Sequence, residues 1–127
     1  MMYHVDINNF GGSVFRVKSK NYEFVIDTKG GGITPPDTLL ASLGSCIGVY
    51  LRKYAEGAGL PINDFTVTLD ADLSKEAPVS FRSIRARIDL KGFELDERRR
   101  QAILGFIKNC PVHNTLKANP AVEVTIA

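Results

Sequence analysis

The stretch Thr38 to Val49, "TLLASLGSCIGV", decides how the rest of the chain is read. Leu39, Leu43, Cys46 and Tyr50 recur at helical spacing, and Leu40, Ile47, Leu51 and Tyr54 widen the same stripe. This predicts an amphipathic helix with a thiol in its apolar run. Small residues flank the stripe: Ala41, Ser42, Gly44, Ser45 and Gly48. A glycine inside a helix costs about 1 kcal/mol relative to alanine. Gly44 and Gly48 therefore call for close approach of another backbone, such as a tightly packed helix pair across a dimer interface.

The helix has clear ends. Upstream, "TKGGGITPP" is a loop. Thr34 suits an N-cap, Pro35 and Pro36 suit a helix start, and Asp37 places a negative charge in the first turn. The helix should run to about Glu56, where "EGAGLP" stops it.

Strands lie on both sides. Residues 3–8 and 13–18 and the run "YEFVID" read as an N-terminal antiparallel sheet. "FTVTLDADLS" and "SFRSIRARIDLKGF", joined by "KEAPVS", read as a long hairpin with one solvated face carrying Arg82, Arg85, Arg87 and Asp89. A second helix follows in "ELDERRRQAILGFIKNC", acids first and Lys108 last. A short third helix starts after Cys110 with Pro111 in its first turn and ends near "KANP". "AVEVTIA" reads as a closing strand. One domain over residues 1–127 is expected from this length, with no linker, repeat or low-complexity tract.

A net charge of +2 is too mild for a nucleic-acid binder. No run of about 18 apolar residues is present, so no membrane span is expected. The first ten residues lack the pattern of a signal peptide, which points to the cytoplasm. A structural disulfide is uncommon there and a transient catalytic one is a recognised exception.

The chain has two cysteines and two histidines, His4 and His113. No CxxC or HExxH is present, so no metal and no bound cofactor is expected. Read locally, Cys46 is a small core hydrophobe or a reactive group. Cys110 precedes Pro111 at a helix N-terminus, where unpaired N–H groups favour a thiolate. His113 is either a polar helix residue or a general base beside Cys110.

With these motifs laid out, the chain resembles the OsmC/Ohr family of thiol-dependent hydroperoxide reductases. "TPPDTLLASLGSCIG" is similar to that family's Pro-x-Glu-Leu-Leu-Leu-Ala-Ala-Leu-Gly-x-Cys helix, and "NCPVHNTLKANPAVEVTI" to its second-cysteine segment. The resemblance spans nearly the whole chain. It implies an α+β fold with antiparallel sheets, a long central cysteine-bearing helix, and an intertwined homodimer with sites at the dimer interface. It implies that Cys46 is the peroxidatic thiolate and that Cys110 resolves its sulfenic acid as a disulfide. The substrate would be an organic, lipid-type hydroperoxide. The reductant would be an external dithiol, such as a lipoyl protein or a thioredoxin-type donor. Peroxidase branches of the family carry a Gly-Gly-Arg segment. Here Ser13 fills the arginine slot and Arg16 is the nearest substitute. Those branches have a glutamate directly after the loop proline. Here that position is Pro36 and the acid is Asp37, one residue later, as in a second branch. The resemblance thus also admits a small-molecule binding or redox-sensing domain without peroxidase activity.

Overall fold

The structure is a computed structural model that describes all 127 residues. Its element order is β1 (Asp6–Asn8), β2 (Val14–Ser19), β3 (Tyr22–Asp27), α1 (Pro35–Gly57), β4 (Thr66–Leu73), β5 (Phe81–Asp89), α2 (Glu97–Ile107) and α3 (Pro111–Ala118). This is the expected α+β class, with antiparallel sheets and one long helix. No helix is long and apolar enough to cross a membrane. The chain forms two compact units, Met1–Leu40 and Ala41–Ala127.

In the first unit β1, β2 and β3 form an antiparallel sheet in that order. Ile7 lies opposite Val17, Val17 opposite Phe24, and Phe15 opposite Ile26, so these five share one apolar face. Only Val17 is fully buried; Ile7, Phe15 and Phe24 remain exposed. Arg16, opposite Asn8 and Val25, lies on the other face.

The β3–α1 loop is organised by Asp27, which is buried. Its carboxylate accepts N–H bonds from Lys29 and Gly31, both 2.9 Å. A parallel bridge joins Ile26 to Ile33. A Cβ at Gly31 would collide with the Asp27 carboxylate, and one at Gly32 with the Val25 carbonyl. The glycine run is therefore a steric requirement of this loop. It delivers Thr34 to the start of α1, where the Asp37 N–H donates to Thr34 Oγ1 (3.2 Å). The N-cap assignment holds, and the helix ends one residue beyond the expected Glu56.

In the second unit α1 buries Leu43, Ile47, Leu51 and Ala55 at four-residue spacing. With Ile103 and Ile107 of α2 they form the core, over which Val67, Leu69, Ile84 and Ile88 of the hairpin pack. Val67 lies opposite Ile88, Leu69 opposite Ala86, and Ala71 opposite Ile84; Thr68 faces Arg87 and Asp70 faces Arg85 on the solvated side. The Phe106 ring meets Tyr50 and Tyr54 at centroid distances of 5.9 and 5.6 Å. Arg52 donates to the carbonyls of Ile62 and Asn63, tying the loop after α1 back to the helix.

Two expectations are not met within the chain. Gly44 and Gly48 meet no other helix of it. A Cβ on Gly44 would meet Leu69 and one on Gly48 would meet Phe65, so the small face of α1 receives large side chains of β4 and the segment before it. The closing strand "AVEVTIA" is not formed either. Residues 119–127 carry no strand and all are exposed. A strand exists only where a neighbour takes up its backbone groups, and no other strand of the chain pairs with this segment.

Candidate functional site: a disulfide between α1 and α3

Cys46 sits near the middle of α1, next to the buried Ile47. Cys110 is the N-cap residue of α3, completely buried, and its sulfur accepts the His113 N–H at 3.5 Å. The main chain fixes this position from both sides. The Cys110 N–H donates to the Ile107 carbonyl (3.0 Å), and the Asn114 N–H donates to the Cys110 carbonyl (3.0 Å). Pro111 gives up an N–H that has no helical partner at that position. Asn119, in the left-handed conformation at φ 49°, closes the helix after Ala118.

The two sulfurs are joined in a disulfide, with Cα atoms 6.0 Å apart and a sequence separation of 64. That Cα distance lies within the range a disulfide spans without backbone movement. Cys46 is only partly covered while Cys110 is fully enclosed, so the two sulfurs differ in access. Reopened, the bond would place Cys110 Sγ where the N–H groups at the start of α3 favour a thiolate.

A cavity of about 330 Å³ is bounded by Leu43, Ile47, Ile84, Leu104, Lys108 and His113; Ile47 and His113 are chain neighbours of the two cysteines, which do not themselves line it. Its walls are largely aliphatic. Gln101 and Lys108 of α2 supply polar groups at its margin. Neither stood out in the sequence as part of a site, although the spacing of Gln101, Leu104 and Lys108 puts them along one helix face. Asp27 was also missed. The sequence shows only an acid shortly before three glycines, which marks a loop and not the partners of the carboxylate. The Lys29 N–H, then the Ser13 side chain and the Gly31 N–H, hold the Asp27 carboxyl below its ordinary 3.8.

Arg16 and Asp37 both lie in the first unit and both are exposed. They form no salt bridge with each other or with another residue. Asp37 Oδ2 accepts the Thr34 hydroxyl at 2.9 Å, so its visible work is to brace the start of α1.

A family model described as OsmC-like protein matches residues 28–125. No curated protein matches the sequence. Among solved structures, an OsmC-like protein from Mycoplasma pneumoniae superposes with a TM-score of 0.79 at 20% identity, over 92% of this chain and 88% of that one. An organic hydroperoxide resistance protein OsmC from Legionella pneumophila gives a TM-score of 0.65 at 18% identity, over 94% and 93% of the two chains. An organic hydroperoxide resistance protein from Elizabethkingia anophelis gives 0.61 at 22% identity, over 94% and 91%.

Proposed function

The chain belongs to the OsmC-like protein family, and from that premise we propose that it reduces organic hydroperoxides to alcohols with Cys46 and Cys110 as its redox pair. The observation that carries this reading is the Cys46–Cys110 disulfide. In the forward reaction the Cys46 thiolate attacks the distal peroxide oxygen. The O–O bond breaks, the alkoxide leaves and takes a proton to become the alcohol, and Cys46 becomes a sulfenic acid. The Cys110 thiolate then attacks that sulfur, water leaves, and the disulfide forms. An external dithiol, from a lipoyl protein or a thioredoxin-type donor, returns both thiols to the reduced state. Such a cycle suits the cytoplasm, where dithiol donors are kept reduced. The aliphatic walls of the cavity favour an apolar hydroperoxide over hydrogen peroxide.

The experiment is a single-turnover titration of the reduced protein with cumene hydroperoxide, followed by steady-state turnover with excess dithiothreitol. About one equivalent should close the disulfide, and Cys46→Ser should abolish turnover. Unchanged turnover in Cys46→Ser would sink the mechanism. A second reading is favoured by the absence of an ion pair between Arg16 and Asp37: a redox-sensing or small-molecule binding domain that uses the same bond. Slow oxidation of the reduced protein, no faster than that of a free thiol, would select it.

We also propose that the protein works as a homodimer. The exposed alternation Val122, Val124, Ile126 supports this, because no strand of its own chain pairs with it and a sheet edge of a second copy could.

A further inference from the structure

Beside the disulfide, one polar atom lacks an account. His113 Nδ1 is buried and has no hydrogen-bond partner. Its residue lies in the first turn of α3, three positions after Cys110, and its N–H already donates to the Cys110 sulfur. The residue also borders the cavity formed with Leu43, Ile47, Leu104 and Lys108. A buried ring nitrogen without a partner is unfavourable if the protein has only one state. A disulfide gives it two. Across those states, the neighbouring group whose hydrogen-bonding capacity changes most is Cys110 Sγ. In the disulfide it is a weak, neutral acceptor. As a thiolate it is a charged and strong one.

We propose that His113 is the proton donor to Cys110 when the disulfide opens and remains the hydrogen-bond partner of the Cys110 sulfur in the reduced protein. The inference rests on the redox role proposed above. The direction of opening follows from burial. Cys110 is fully enclosed and Cys46 is not, so an incoming thiolate reaches Cys46 Sγ. A new S–S bond forms between the reductant and Cys46, the Cys46–Cys110 bond breaks, and Cys110 leaves with the electron pair. A bare charge on a fully buried sulfur is unfavourable unless it is paired or neutralised. The His113 imidazolium passes its proton to that sulfur and becomes neutral imidazole. The second thiol of the dithiol then displaces the Cys46 thiolate and carries away the oxidised, cyclic reductant.

The other residues that line the cavity with His113 sharpen the assignment. Leu43, Ile47, Ile84, Ala86, Leu104 and Ile107 cannot carry a proton, and Gln101 is neutral. Lys108 stands at the margin of the same cavity. His113 alone among these residues is hydrogen-bonded to the Cys110 sulfur, through its main-chain N–H, so proton delivery falls to the histidine.

Two kinds of measurement test this without any peroxide, the first on thiol chemistry and the second on the histidine itself. In Cys46→Ser protein Cys110 is the remaining thiol, and its thiolate can be followed by ultraviolet absorbance against pH. Adding His113→Gln should move that midpoint up by at least about one pH unit. Reduction of the oxidised His113→Gln protein by dithiothreitol should slow by at least about tenfold near neutral pH. The second measurement needs no substitution. The imidazole nitrogen chemical shifts of His113 in the wild-type chain should differ between disulfide and reduced forms at fixed pH. Those of His4, which is exposed and lies in the other unit, should not. Equal thiolate midpoints, or nitrogen shifts indifferent to the redox state, would overturn the proposal. If His113→Gln fails to fold, the wild-type shifts decide alone. A chain with no peroxide turnover that still shows both effects would sink the peroxidase reading and leave this one standing.

Discussion

An alanine at Gly48 would place its Cβ 3.5 Å from the Phe65 ring, an ordinary contact. An alanine at Gly44 would come within 2.6 Å of a Leu69 methyl, which must then move. The gain in helix propensity is the same at both positions, about 1 kcal/mol. What differs is the space. Gly48→Ala should therefore raise the melting temperature, with a stabilisation of up to about 1 kcal/mol. Gly44→Ala should fall below it, because displacing a packed leucine costs about 1–3 kcal/mol. Thermal unfolding of the two variants checks the order, and an equal gain in both would show that Leu69 turns aside freely. Residue-level readings of the sequence were correct in kind at these positions, and within the chain the partner is a side chain and not a helix. Two glycines in one helix announce a close approach. They do not say whether a backbone or a leucine makes it, since that depends on which element the fold lays across them.

At the scale of elements, α1, α2 and α3 were legible because their ends are written in local chemistry. Thr34 before two prolines, Asp96 accepting the Arg99 N–H at 2.7 Å, and Cys110 before Pro111 each satisfy N–H groups that a helix start leaves open. The hairpin was legible because its two-residue alternation survives on both strands. The closing strand was misread because alternation reports a face and not a neighbour. Cys46 and Cys110 could be singled out from their settings, but residues so far apart in sequence cannot be paired by spacing alone. The β3–α1 loop escaped for a different reason: its logic lies in Asp27, whose partners are main-chain N–H groups that carry no residue signature. Those groups hold the Asp27 carboxyl below its ordinary value, the Lys29 N–H foremost. The sign follows directly. A carboxyl lowered on folding binds fewer protons in the native state, so its contribution is full above about 3.8 and is lost as pH falls through the lower native value. Acid unfolding of Asp27→Asn should be less steep in that window than for the wild type, and its stability lower above it. Identical acid limbs would show that the loop bonds do not bear on stability.

At the scale of the whole molecule, the apolar surface left exposed on each unit has a pattern. Val122, Val124 and Ile126 are 83%, 85% and 97% exposed and alternate with Glu123 and Thr125. Ile7, Phe15 and Phe24 leave much of one face of the N-terminal sheet open. Scattered apolar residues need no explanation, but a strand-like run with every backbone group unpaired does. A second copy of the chain accounts for it by strand addition. The run then gains a ladder of main-chain bonds, and its alternating side chains gain a face to cover. In the homodimer proposed above the contact would then fall on residues 120–127, which makes a direct prediction. The full-length chain should run as a dimer by light scattering at micromolar concentration. A chain ending at Asn119, just beyond α3, should run as a monomer or dissociate at much higher concentration. It should retain the helical signal of α1, α2 and α3, whose packing involves none of the removed residues. A full-length monomer would remove the dimer from the functional reading. A dimer that survives truncation would move the interface to the open face of the N-terminal sheet, where replacing Phe15 and Phe24 by serine should then dissociate it.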